Sequence, residues 1–371
     1  MIRNKQRRNL RKRVGRKTRN RTEDTCANGP TVDDNEMEKT ADNRMAAMST
    51  QDQGLADTLI KEKSTQAVGA RTEGAVLKEF IINLSKYTIQ QMLKEYSELK
   101  STVFPEHTKV AFDQNMIRNR YKDIVCCDQT RVVLQGDIDY IHANFIGQKL
   151  FSDKVICCQA PMDSTVNEFW KMVIQEKVIV ITKLCQIMEN NKPRCFQYWP
   201  VNIGQASQFG NIVVKHLNTE HTDPSYALIK LQIIDEQSKT NMALEIINWI
   251  DWPDRHVPRN STVLLKLLRR LQTYKGSMII HCSAGIGRTG TVAALHMMMT
   301  KIVNKQSFTV YEIVKLLRSQ RPQSVQTDIQ YVFIFKVIAD YCVTKNIRTP
   351  ELQKFIQDYE AHLKTLNIPA E

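Results

Sequence analysis

No stretch of the 371-residue chain approaches the ~18 consecutive apolar residues of a membrane span. The N-terminus is basic but has no apolar h-region, which excludes a secretory signal. It is Arg-rich and acid-poor, as a mitochondrial transit peptide is, yet Ile2, Leu10 and Val14 are too few to make an amphipathic face. The nine cysteines form no CxxC pair and no zinc-type spacing. Neighbours such as Cys126 and Cys127 make poor bridges because the geometry is strained. The simplest reading is a reduced, intracellular protein. The eight histidines do not cluster with carboxylates at ligand spacing, which agrees with no metal being needed, and no other cofactor is expected. There are no internal repeats. Glycine is scarce, 13 in the whole chain, yet three lie within residues 281–290, "HCSAGIGRTG".

Apolar residues make up 42% of the chain, enough for a substantial core. The formal charge is +13, but residues 1–21 carry eleven Lys or Arg and no acid, so +13 less 11 leaves +2 for the rest. An acidic and polar stretch follows, "TEDTCANGPTVDDNEMEKTADN". This composition predicts a disordered tail over 1–71, a folded domain over 72–345 and an amphipathic helical extension over 346–371. The basic block has four readings: a solvated tail, a contact for an import receptor, a contact for an anionic membrane, or a contact for RNA. It has no aromatics on which bases would stack, which weakens the last.

Helical spacing begins with Val76, Leu77, Phe80, Ile81 and Leu84 and continues through Ile89, Met92, Leu93 and Tyr96. The middle of the chain reads as strands: "RVVL", "DYIHANFI", "KVICCQA", "KVIVITKL", "NIVVKHL", "YALIKLQII" and "ALEIINWI" are β-branched runs bounded by turns. Then come a helix over "STVLLKLLRRLQTY", a short buried strand "SMIIHC", and a helix over "RTGTVAALHMMMTKIV", with Met297–Met299 as core. A further helix opens at the capping box "TVYE", and another covers "QTDIQYVFIFKVIADY". The order predicts an α+β fold: a central mixed, twisted sheet flanked by helices.

Strand, glycine-rich loop and helix make an anion cradle, with backbone N–H groups and the helix N-terminus converging on one point. Gly285, Gly287 and Gly290 are expected to let that backbone approach an oxyanion. Cys282, at its mouth, is expected to be the thiolate nucleophile, and Arg288 a planar fork for two phosphoryl oxygens. Together they point to attack on phosphorus through a cysteinyl-phosphate. Thr289 is placed to donate a hydrogen bond to Cys282 and ease its departure. The leaving oxygen needs a proton, and Asp254, after the rigid Trp252-Pro253 pair in "DWPDRHVP", is a candidate general acid. A lone cysteine after a strand is ordinarily a packing residue, and a lone loop aspartate a turn or cap. Cys, five residues, Arg, with this glycine pattern between strand and helix, is far more specific.

In these motifs the chain resembles the catalytic domain of the tyrosine-specific, cysteine-dependent protein phosphatases, over roughly residues 75 to 345. "HCSAGIGRTG" matches that family's phosphate-binding loop, residues Ser283, Ala284, Gly285, Ile286 and Gly287 included. "NRYKDI…RVVL", "DYIHANFI", "FW" at 169–170, "RCFQYWP", "WPD" and "QTDIQY" fall in the family's order. The resemblance implies that Gln326 positions the hydrolytic water with help from Gln330. Tyr121 would wall the phosphotyrosine ring, Asp123 hold the substrate backbone, and Glu189 orient Arg288. His281 would tune Cys282 from behind, and Trp252 anchor the hinge of the Asp254 loop. Asp254 would then act as acid and afterwards as base. A deep pocket walled by Tyr121 suits phosphotyrosine rather than the shorter phosphoserine, and cradle plus Arg288 neutralise the phosphate without a divalent metal.

The family pattern is departed from at four places: His256 and Ala160 where glycine is usual, His142 for asparagine, and Gln323 where glycine often sits. No catalytic group is lost. The expected function is hydrolysis of phosphotyrosine in proteins by a single-domain, non-receptor enzyme, cytoplasmic or carried to the nucleus by the basic block. The alternative is a catalytically weak domain that captures phosphotyrosine proteins.

Overall fold

The computed structural model describes residues 71–258 and 261–367. The chain divides into Met1–Gly69 and Ala70–Glu371, and the described residues belong to the second unit. The predicted tail, with its partner readings and Cys26, lies outside the described residues except for Arg71.

Helix α1 (Glu73–Leu84) opens on Thr72, whose hydroxyl accepts the Ala75 N–H, and buries Val76, Leu77, Phe80, Ile81 and Leu84. Helix α2 (Ile89–Ser101) has a full capping box between Thr88 and Gln91. A short α3 (Val110–Gln114) leads to β1 (Arg131–Val133), β2 (Tyr140–Ile146) and β3 (Val155–Cys158). Helix α4 (Val166–Gln175) precedes β4 (Val178–Lys183) and a small hairpin, β5 (Met188–Glu189) with β6 (Lys192–Pro193). Strands β7 (Ala206–Phe209), β8 (Ile212–Asp223), β9 (Tyr226–Asp235) and β10 (Thr240–Trp249) form an antiparallel meander. Then come α5 (Ser261–Leu271), β11 (Ser277–His281), α6 (Arg288–Val303), α7 (Val310–Gln320), α8 (Asp328–Thr344) and α9 (Pro350–Thr365).

Among the described residues these strands build a nine-stranded sheet in the order β1-β2-β3-β11-β4-β10-β9-β8-β7. The inner four, β3, β11, β4 and β10, run parallel, and the flanks are antiparallel. Sequence explains the division. "VICC" and "VIVITK" are unbroken apolar or β-branched runs, as strands covered on both faces require, whereas β10 alternates in its first half. Met278, Ile279 and Ile280 of β11 are buried, each worth ~1.5–3 kcal/mol of apolar burial. The loop after β11 leaves the sheet at the carboxyl end of its parallel strands, where such sheets bind ligands.

Helix α6 is buried almost all round, Met297–Met299 included, because the sheet covers one side and α7 and α8 the other. The capping box at Thr309 is half made. Its hydroxyl accepts the Glu312 N–H, but the Glu312 carboxylate takes the Thr309 hydroxyl instead of its backbone N–H. The C-terminal helix docks through Leu352, Phe355, Tyr359 and Leu363 onto α1, α2 and α8 and is part of the same unit. Ile356 is half-buried at the edge of that face, and Leu366 is exposed. No helix of the described residues is long and apolar enough to cross a membrane.

Candidate active site

His281 ends β11 in register with Cys158 on one side and Lys183 on the other, so Cys282 emerges from the middle of the sheet. Residues 282–287 then turn into α6 at Arg288. Cys282 is 3% exposed, and its sulfur accepts the Gly285 N–H at 3.2 Å. The N–H groups of Ser283, Ala284, Ile286 and Gly287 donate to no other group among the described residues, which leaves them available to an anion. His281 is wholly buried: Nε2 meets the Tyr198 hydroxyl at 2.9 Å and Nδ1 lies 3.3 Å from the Cys282 carbonyl oxygen.

The three glycines, all expected at the oxyanion, divide in the structure. Gly285 adopts φ +72°, and a Cβ there would lie 2.0 Å from the Cys158 carbonyl oxygen. A Cβ on Gly290 would lie 2.4 Å from the Val325 nitrogen. Both are required by backbone packed behind the cradle. The Cβ missing at Gly287 faces the side-chain ends of Gln326 and Gln330.

The Arg288 guanidinium is 1% exposed and lies edge to edge on Glu189 at 2.5 and 3.0 Å. Burial pushes the Glu189 carboxyl up, but the hydrogen bond and charge of Arg288 outweigh it and hold it below the usual carboxylate range. Glu189 also accepts the Gln186 N–H at 3.0 Å, which fixes the hairpin under the pair. Arg288 further donates to the Trp252 carbonyl oxygen at 2.9 Å and sits 3.4 Å from Asp254 Oδ1. The acid-bearing loop is thus folded over the cradle, with Trp252 buried, Pro253 exposed and Asp254 partly exposed. Thr289 does not bond Cys282. Its hydroxyl is buried with no hydrogen-bond partner among the described residues, and the thiol takes its hydrogen bond from Gly285.

Tyr121 lies against the cradle, its hydroxyl 2.9 Å from Ser283 Oγ, while Ser283 Oγ donates to the Arg194 carbonyl at 3.1 Å. Asp123 is exposed two residues on. Gln326 and Gln330 both reach the Gly287 side of the cradle. Gln330 is fully buried and is chiefly a cap: its Oε1 accepts the N–H groups of Gln326 at 3.1 Å and Thr327 at 3.3 Å.

Residues 115–340 match the family model for protein-tyrosine phosphatase. The chain belongs to the protein-tyrosine phosphatase family. It is 32% identical over 274 residues to tyrosine-protein phosphatase 69D of Drosophila melanogaster, covering 70% of this chain and 19% of that one. It is 29% identical over 297 residues to non-receptor type 20 of Rattus norvegicus, covering 76% of this chain and 70% of that one. A solved structure described as the structural basis of PTPN18 fingerprint on distinct HER2 tyrosine phosphorylation sites shares 28% identity at a TM-score of 0.66, over 72% of this chain and 99% of that one. The chain spans about a fifth of the length of the first of these relatives.

Two arginines of this phosphatase domain escape sequence reasoning. Arg321, wholly buried, donates to the carbonyls of Gly285 at 2.5 Å and Ala284 at 3.1 Å and to Asn144 Oδ1 at 2.7 Å. It holds the loop carbonyls on the outer side, which turns the N–H groups inward. Arg194 donates to the Tyr121 hydroxyl at 2.9 Å and lies 3.4 Å from Asp254 Oδ2. The signals were the motifs themselves: both arginines lie in or beside stretches that carry the family resemblance, but nothing in local spacing gives their targets.

The departures also find partners. His142 bridges Arg321 and the Ile124 carbonyl oxygen, and burial, then the Arg321 charge, push its ring down to about 3, so it stays neutral. Ala160 donates its N–H to the Ser283 carbonyl at 3.0 Å. Gln323 takes φ +63° and accepts the Val125 N–H at 3.4 Å. Behind the cradle Cys185, Cys195 and His281 bring their ligand-type atoms within 4.8 Å of one another, a cluster that sequence spacing does not show. Burial pushes Cys126 and Cys157 up to about 12, which leaves them inert packing thiols.

Proposed function

We propose that this chain hydrolyses phosphotyrosine in proteins through a cysteinyl-phosphate. The observation that carries the reading is the convergence on one cleft of a thiol, a guanidinium locked at 2.5 Å to Glu189, and the Asp254 carboxylate 3.4 Å from that guanidinium. The phosphoryl oxygens take the free loop N–H groups and the Arg288 fork. Cys282 Sγ attacks phosphorus; the S–P bond forms, the P–O bond to the phenol breaks, and Asp254 gives its proton to the leaving oxygen. Water beside Gln326 then attacks phosphorus and gives a proton to Asp254, and the S–P bond breaks to release inorganic phosphate and the thiolate. Burial of Cys282, 3% exposed, with Tyr121 hydrogen-bonded to the neighbouring Ser283, favours a long phospho-side chain.

Hydrolysis of a phosphotyrosine peptide and a matched phosphoserine peptide, without added metal and beside Cys282→Ser, tests this. Turnover of the phosphotyrosine peptide alone, abolished in the variant, is expected. A folded protein that binds the peptide and does not turn it over would favour the capture reading, and His256→Gly is then the variant to make. A cytoplasmic site of action, with residues 1–21 serving import, is carried by sequence; deletion of 1–21 with no change in location would remove the import role.

A further inference from the structure

We propose that Thr327 is a positioning residue that latches the acid-bearing loop over the cleft, an inference that rests on the phosphatase reading above. Asp254 serves as an acid only when residues 251–258 lie over the cradle. Some of the bonds that shape this segment are internal: Trp252 Nε1 donates to the His256 carbonyl at 2.9 Å, and the His256 N–H reaches the Pro253 carbonyl at 3.3 Å. These fold the loop without fixing its tip to the body. The tip is Arg255, a non-glycine residue held at φ +62°. Left-handed backbone at such a residue persists where its surroundings enforce it. Here the Arg255 carbonyl oxygen accepts the Thr327 hydroxyl at 3.2 Å, and the next carbonyl, of His256, accepts Gln330 Nε2 at 3.4 Å.

Thr327 does two things with one hydroxyl. Its oxygen accepts the Gln330 N–H at 3.4 Å as the N-cap of α8, and its hydrogen goes across to the loop. The Oε1 of the same Gln330 accepts the N–H groups of Gln326 and Thr327. One knot of bonds therefore ties the loop that carries the acid to the backbone of Gln326, whose side chain, like that of Gln330, faces Gly287.

The two roles of the hydroxyl separate by substitution. Thr327→Ser keeps both. Thr327→Asp keeps a capping acceptor but, ionised, has no hydrogen to give. Thr327→Val removes both without adding charge. The readout is kcat/KM on two aryl phosphates, one with a weakly acidic phenol that needs Asp254 and one with a strongly acidic phenol that does not, with Asp254→Asn as reference. Thermal melts confirm that each variant is folded. Thr327→Asp and Thr327→Val are expected to lower the weakly acidic-to-strongly acidic ratio about fivefold, the effect of losing one ~1 kcal/mol hydrogen bond, and Thr327→Ser to leave it unchanged. Equal slowing of both substrates would mean a distorted cradle and overturn the latch. Slowing by Asp with Val unaffected would mean a charge effect and overturn it too. Hydrolysis of neither substrate by the unsubstituted protein would instead fail the phosphatase reading, and the latch with it.

Discussion

The Arg288 guanidinium and the Glu189 carboxylate share a plane of contact, Nη1 to Oε1 at 2.5 Å and Nη2 to Oε2 at 3.0 Å. The pair fixes the orientation of the guanidinium before any ligand arrives; the remaining Nη hydrogens go to the Trp252 carbonyl and toward Asp254, and Nε is left without a partner among the described residues. The Glu189 carboxyl is held below the usual range, so the charge that fixes Arg288 is present above the ordinary Glu pKa and is lost only as pH falls through the depressed value.

Glu189→Ala should therefore weaken phosphate recognition without touching the nucleophile. A buried cation that loses its hydrogen-bonded acid typically costs ~3–5 kcal/mol, part of it in stability. A fall of about 10²-fold in kcat/KM is expected, with weaker inhibition by vanadate in parallel. Unchanged vanadate inhibition would show that Arg288 needs no help from Glu189.

His142 makes stability depend on pH. Its ring is pushed down to about 3 in the fold, against ~6.5 in an unfolded chain, so the unfolded state binds the extra proton between those values. Stability from this group is fully present above about pH 6.5 and falls as the pH drops. Across 1.5 units the loss is about 2 kcal/mol. His296, pushed down to about 4 by burial, adds to the same slope. Urea midpoints at pH 7 and pH 5 should differ less in His142→Asn than in the unsubstituted protein; an equal difference would place the slope elsewhere.

The three cradle glycines should fail in different ways. Alanine at Gly285 or Gly290 would drive a Cβ into backbone at 2.0 or 2.4 Å, and no side chain can move aside to relieve it. Both variants should lose ~3 kcal/mol or more, by the same logic as severe overpacking, and melt early. Gly287→Ala meets Gln326 Oε1 at 3.0 Å, the end of a flexible side chain. That variant should fold with a nearly normal melt. Its displaced Gln326 should slow breakdown of the phosphoenzyme, seen as a burst of phenol followed by a slow steady state. An early melt for Gly287→Ala would contradict this division.

Much of the fold was legible in the sequence because most of its elements are either unbroken apolar runs or bury a periodic face. The runs "VICC", "VIVITK" and "SMIIH" announce strands, and the Val76–Leu84 spacing announces a helix that buries those residues. Helix α3 was missed because five residues complete barely one period. The site was legible where chemistry is contiguous in sequence, as from Cys282 to Arg288. It was not legible where a long side chain crosses the molecule: Arg321 reaches Asn144 and Gly285, and Arg194 reaches Tyr121 and Asp254, contacts that only the folded sheet creates. Thr289 shows the reverse error. It sits next to Arg288 in sequence, but in the fold its hydroxyl is buried and has no hydrogen-bond partner among the described residues.

Strand β11 has a consequence for how the domain comes into being. It pairs in parallel with β3 and β4, about a hundred residues or more earlier in the chain, and stands between them. Until it arrives, β1-β2-β3 and β4-β10-β9-β8-β7 are two separate half-sheets, each with an open edge of unpaired N–H and C=O groups. On a ribosome, both halves are made before the strand that joins them. Pairing across so long a stretch of chain is intrinsically slow, and it leaves those edges open to association until it is complete. Because Cys282 follows directly on the joining strand, the thiol and the loop after it take their places only when that strand is inserted.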